Sequence, residues 1–457
     1  MQQYRSDLSI FQERESEARG YCRRFDTLFT RAVGSELFDA DGRRWIDFLA
    51  GCGSLNYGHN DADMSAALIA HIQQQGLAVG MDLHTGPKKR FLELFARHVL
   101  APRGLNHRVM FTGPTGTNAI EAALKLARKV TGRHNVIAFT NGYHGVSMGA
   151  LAATGNGYNR MGQGALLPGV TRHPFEGYFG PGVDTADMLA QLLDDPSSGI
   201  DKPAAILLEP VQGEGGLNQA SRGWMQRIAQ IAQRHGALLI VDEVQAGCGR
   251  TGSFFSFEPL GVVPDLIALS KSISGYGLPM ALLLVRPDRD QWRPAEHNGT
   301  FRGNNHAFVT AAVAIEKYWQ DDSFSQGVAQ RASLVTRELQ AMAAMVPGAY
   351  LKGRGLMQGL HVGSGALADR ILRRAFERGL VIEAAGPEDE VIKVLTPLNI
   401  SAALLAEGLS ILQRAVAETL GVPLPVRAAQ PVAGRPAASQ PAATAVAAAH
   451  ADLAQAA

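Results

Sequence analysis

Six short runs between Val109 and Val285 are apolar on successive residues: VMFT at Val109, NVIAF at Asn135, AAILLE at Ala204, ALLIVDE at Ala237, LIALS at Leu266 and MALLLV at Met280. A strand of this kind is buried on both faces, which an open, half-solvated sheet does not offer. Between the runs lie helical segments such as Asn118–Val130 and Gly223–His235, whose apolar residues recur at three and four. The pattern predicts an α/β fold, with a mainly parallel sheet sandwiched by helices. Past about Phe308 the pattern turns helical, then gives a β-like VIKVL at Val391 and a last helix from Ser401 to Leu420, while FDADGRRWIDF at Phe38 reads as a hairpin. We therefore expect a large domain over 61–325 and a smaller α+β domain over 326–422, joined by a contribution from 1–60.

Length and composition fit this reading. At roughly 150 residues per domain, 457 residues allow about three units. Beyond 423 the chain is rich in alanine and broken by Pro431, Pro436 and Pro441, with no apolar stripe that could dock, so 423–457 reads as a flexible tail. Lys plus Arg number 43 against 42 Asp plus Glu. That balance gives no electrostatic case for binding nucleic acid or an anionic membrane. Cys22, Cys52 and Cys248 lie far apart and form no C-x-x-C spacing, which predicts no metal site and suits a reducing cytoplasm. The charged N-terminal stretch and the shortness of every apolar run argue against secretion and membrane insertion.

Polar residues sit where the buried runs end, which in open α/β sheets is where ligands bind. Glu209 ends AAILLE, Asp242 ends ALLIVDE, and Lys271 follows LIALS. One such residue could simply mark a strand meeting solvent, but three together need a reason. In FTGPTGTNAIEAALKLAR a strand passes through a Gly-rich turn into a helix starting near Thr117, and backbone amides at a helix start suit a phosphate. The turn matches neither the P-loop nor the dinucleotide-binding spacing. Tyr143, in NGYHG, could stack on a flat ring or merely pad a loop. A phosphate cradle, a stacking aromatic, a strand-end Asp and a strand-end Lys together fit pyridoxal phosphate, with Lys forming the Schiff base and Asp keeping the pyridine nitrogen protonated.

ALLIVDEVQAGCGRTGSFFSFEPLGVVPDLIALSKSISGYGLPMALLL resembles the signature of the class III (ornithine/ω-amino acid type) pyridoxal-phosphate aminotransferases. LLEPVQGEGG, NGYHG and GTFRGNNHA resemble further motifs of that family, and the similarity runs from about Phe38 to Leu420. LNYGHN, FTGPTGTNAIEAALKLARKVTGR and the segment around Lys393 look most like the branch that works on diaminobutyrate and 2-oxoglutarate in ectoine synthesis. The resemblance implies a fold-type I enzyme, a homodimer or higher homo-oligomer with pyridoxal 5'-phosphate as cofactor, exchanging an amino group between a small amino donor and an oxo acceptor. Another ω-aminotransferase, an aminomutase or an amino-acid epimerase would need the same residues, and a non-catalytic scaffold would not.

Carried over by position, the resemblance makes Lys271 the Schiff-base lysine and Asp242 the partner of the ring nitrogen. Gln245 would bond the phenolic oxygen, Gly116 and Thr117 the phosphate, and Tyr143 would stack on the ring. Glu209 would sit behind Asp242 and order it, and Thr300 would reach the phosphate of a neighbouring subunit. Many relatives have an Arg before Pro-Leu to grip the substrate α-carboxylate, where VIKVLTPL offers Lys393; Glu214 matches the glutamate that pairs with this cation. A lysine is a point charge and lacks the two-pronged grip of arginine. The tail reading is directly testable: deleting Ala428–Ala457 should leave melting temperature and activity nearly unchanged, and an insoluble or inactive truncation would refute it.

Overall fold

The computed structural model describes residues 8–161 and 167–424. The described residues up to Pro423 form one compact unit. The tail read as 423–457 lies outside the described residues beyond Leu424. Among the described residues a seven-stranded sheet runs in the order Arg108–Phe111, Leu282–Val285, Leu266–Leu269, Leu238–Asp242, Ala205–Leu208, Val136–Phe139, Val170–His173. From Leu266–Leu269 to Val170–His173 every neighbour is parallel, whereas Leu282–Val285 runs against both strands beside it. The connection from Leu269 to Leu282 holds only a single short 3-10 turn, Lys271–Ser274. With no crossover helix to carry the chain back over the sheet, the next strand returns antiparallel.

Alternate side chains feed two cores. Ile206, Leu208, Leu239 and Val241 point to one face, packed with Trp224, Met225 and Ile228 of the helix Arg222–His235. Ala205, Leu207, Leu238 and Ile240 point to the other, against Ala119, Ile120, Ala123 and Leu124 of Gly116–Thr131. Both helices end on a glycine in the left-handed conformation, Gly236 and Gly132. All six runs seen in the sequence are strands; the seventh, Val170–His173, escaped because VTRH has no apolar run.

The hairpin expected at Phe38 is present as Glu36–Asp39 paired with Arg44–Asp47, and Leu380–Val381 adds to it in parallel. A second small sheet orders Tyr350–Arg354, Met357–His361, Val391–Val394 and Glu383–Ala385, all antiparallel. The helices Ser323–Ala343, Gly365–Glu377 and Ala402–Leu420 share one core with these strands and with Ile46 and Phe48. No helix of the described residues is long and apolar enough to cross a membrane. Gly408, inside the last helix, lies so close to the Phe48 ring that a β-carbon there would come within 2.4 Å of it. Gly408→Val should therefore cost about 1–3 kcal/mol through overpacking; an unchanged denaturant midpoint would show that the ring can move aside.

Candidate active site

Three neighbouring parallel strands deliver their polar ends to one edge of the sheet: Glu209 just past Leu208, Asp242 closing its strand, and Lys271 two residues past Leu269. A cavity of about 590 Å³ opens there. Gly116, Thr117, Tyr143, Glu209, Glu214, Asp242, Gln245 and Lys271 all line it, and Lys393 and Thr300 do not.

Asp242 is buried and doubly held: Oδ1 accepts the Val244 N–H at 2.9 Å, and Oδ2 lies 2.8 Å from His144 Nδ1. Burial alone would lower the His144 pKa, but the hydrogen bond to Asp242 and its charge outweigh that and raise it. The residue that orders Asp242 is thus His144, which the sequence reading had left without a role. Glu209 does something else: its Oε1 accepts the Tyr143 N–H at 2.8 Å and its Oε2 the Gly213 N–H at 3.0 Å, so it ties the Tyr143 loop to the Gly-rich loop. Burial, aided by the charge of Asp242, pushes the Glu209 carboxyl up to about 7.

Lys271 follows an extended Ser270 and adopts φ +53°, a left-handed backbone unusual for a residue with a β-carbon. Its Nζ donates to the Cys52 carbonyl at 2.9 Å. Thr115 caps the helix Gly116–Thr131, and Asn118 Oδ1 accepts from the Thr115 N–H (3.2 Å) and hydroxyl (2.8 Å). Thr115, Gly116 and Thr117 line the cavity at this helix start, where first-turn amides suit an anion. A β-carbon on Gly116 would come within 2.7 Å of Val244, and the Thr117 hydroxyl sits 2.6 Å from that of Ser147, which Glu121 anchors. Gln245 Nε2 donates to Glu214 Oε1 at 2.9 Å, while its buried Oε1 has no partner among the described residues.

Behind Glu214, which lines the cavity, a buried cation is held between two carboxylates. Lys393 is fully buried, with Nζ 3.0 Å from Glu214 Oε1 and 2.8 Å from Glu383 Oε1. Burial would raise the Glu214 carboxyl, but Lys393, Lys271 and the Gln245 hydrogen bond bring it down to about 2. The pairing of Lys393 with Glu214 expected from the sequence is present. Glu383 was missed, because Glu383–Ala385 is too short a strand to register in a hydrophobic pattern. Thr300 begins an exposed turn beside Phe301 and lies outside the cavity of its own chain.

The sequence pattern of the family described as aminotransferase class-III matches residues 18–416. The chain is 55% identical over 413 residues to a diaminobutyrate–2-oxoglutarate transaminase of Vibrio cholerae, covering 90% of this chain and 100% of that one. It is 53% identical to a protein of the same name from Vibrio parahaemolyticus, over 90% and 97%. In structure it is similar to the ornithine aminotransferase of Toxoplasma gondii, with a TM-score of 0.78, 24% identity and 90% and 93% coverage, which shows the fold alone.

Removing the buried cation leaves two carboxylates without compensation, so Lys393→Met should lose about 3–5 kcal/mol at neutral pH. Their pKa values in the folded variant then lie above the unfolded ones, so the deficit should shrink as pH falls towards the unfolded carboxylate value of about 4.3. Urea unfolding of parent and variant at pH 4 and pH 8 checks this; a deficit that is the same at both would refute the charge argument.

Proposed function

Because the chain belongs to the class-III aminotransferases and is a pyridoxal 5'-phosphate enzyme, we propose that it exchanges an amino group between L-glutamate and L-aspartate 4-semialdehyde, giving 2-oxoglutarate and L-2,4-diaminobutyrate. The observation that carries the substrate reading is the buried Lys393 paired with Glu214, which lines the cavity, together with relatives at 53–55% identity named for this reaction. The motifs LNYGHN and FTGPTGTNAIEAALKLARKVTGR support a role in ectoine synthesis.

The residues present fit the cofactor. The Gly116–Thr131 helix start offers donors to a phosphate, Asp242 a carboxylate to a protonated ring nitrogen, Tyr143 a flat face, and the unpartnered Gln245 Oε1 a place for a hydroxyl proton. Pyridoxal phosphate supplies a ring that draws electrons from the substrate carbon. In this reading His144 fixes the orientation of Asp242, and Asp242 holds the proton on the ring nitrogen. Lys271 Nζ would hold the cofactor at rest and, when free, would take the proton from the substrate carbon and return it at the next. Glu209 keeps the Tyr143 and Gly213 loops in register around them.

The two amines demand different things of one site. Glutamate carries a carboxylate on the reacting carbon, and the terminal amine of diaminobutyrate does not. Lys393 receives that carboxylate in one half-reaction and is covered by Glu214 in the other, because a buried lone charge is costly. A homodimer is supported by exposed Leu77, Val79, Met81, Leu83 and Phe301. The bridge from Val79 to Asn304 brings these two segments together. On that face Thr300 would serve a partner's phosphate. The three free cysteines support a cytoplasmic location.

The test is a pair of single-turnover measurements, one per amine donor, followed by the cofactor spectrum. Both donors should react, and Glu214→Gln should slow the diaminobutyrate half more than the glutamate half. Equal loss in both would remove the switch, and no reaction with diaminobutyrate beside good reaction with another ω-amine would remove the substrate assignment.

A further inference from the structure

Lys393 and Glu383 face each other directly across two antiparallel strands. The sheet register therefore keeps the two residues opposite each other. Glu214 is different. It stands on the Gln212–Gly216 stretch, where three glycines flank it, and it is the more exposed of the two carboxylates, 33% against 5% for the side chain. One carboxylate is thus permanent and the other displaceable.

Charge counting gives the consequence. With Glu214 swung away, an incoming α-carboxylate meets a lysine already facing a carboxylate. The ligand brings a further negative charge into a buried region that still holds Glu383. We propose that Glu383 is a specificity-determining residue: as the fixed partner of Lys393 it holds down the site's affinity for an α-carboxylate, and so favours amines whose carbon bears none. This rests on the carboxylate-binding reading of Lys393 given above.

The groups facing Glu383 are few. Lys393 is on the neighbouring strand and Glu214 on the Gly-rich loop. Tyr21 donates to Glu383 Oε2 at 3.3 Å, with Cys52 Sγ 2.6 Å from the same hydroxyl. Lys271 acts from the cavity wall. Burial raises the Glu383 carboxyl, Lys393 opposes this, and Glu214 adds to it. Protonating Glu383 frees Lys393 for a ligand, so anion affinity should be highest at low pH and fall as pH rises and Glu383 ionises.

The probe is glutarate, a dicarboxylate with no amine whose own titration is complete by pH 7, bound to the holoenzyme and read by calorimetry from pH 7 to pH 9. The parent should bind it progressively more weakly with pH, by up to about tenfold per unit. Glu383→Gln should bind several-fold tighter at pH 8 and lose the slope, with a melting temperature reporting its fold. A parent with no slope overturns the proposal even if the variant fails to fold, and so does a folded variant that keeps the slope. Glu214→Gln separates this from the underlying reading: it removes the rival anion and should tighten glutarate. Unchanged affinity there would refute carboxylate binding at Lys393 altogether, whereas tightening there with no effect of Glu383→Gln would refute the role of Glu383 alone.

Discussion

A strand covered by helices on both faces has no wet side on which to carry a charge, and the whole arrangement of this enzyme follows from that. Ala205–Leu208, Leu238–Asp242 and Leu266–Leu269 are apolar throughout until they end. Because these three run parallel and side by side, their ends coincide. Glu209, Asp242 and Lys271 therefore meet at one edge without any long-range fitting of loops. The reversed strand Leu282–Val285 is part of the same economy, since the chain turns back immediately after Lys271 and needs no helix to do so.

Asp242 and Lys393 are both buried and both compensated, but by two different means. Asp242 is held by an imidazole and a backbone amide, partners that stay put. Lys393 is held by one carboxylate on a strand and one on a glycine-rich loop. A rigid pair suits a group whose charge must persist through a whole cycle, and a pair with one loop-borne member suits a group whose partner must change. The local backbone, more than the side-chain chemistry, distinguishes the two.

What could be read from the sequence follows the same division. Buried strands and long amphipathic helices announce themselves by composition and period, and the strand-end Asp and Lys were conspicuous because they interrupt apolar runs. The polar edge strand Val170–His173 and the three-residue Glu383–Ala385 carry no such signal. His144 stood in view beside Tyr143, but its bond to Asp242 joins residues 98 positions apart, which only the parallel pairing of the sheet brings together. Glu209 was found for its position and given the wrong neighbour for the same reason. Its hydrogen bonds go to two loops whose paths depend on glycines, not to the strand beside it.

The left-handed backbone of Lys271 has a consequence of another kind. A residue with a β-carbon in that conformation gives up about 1–2 kcal/mol that a glycine would not. Selection for heat resistance alone and selection for turnover therefore favour different residues at position 271. A library screened only for survival on heating would enrich dead enzymes there, and the position marks a place where the chain holds less stability than its own fold could reach.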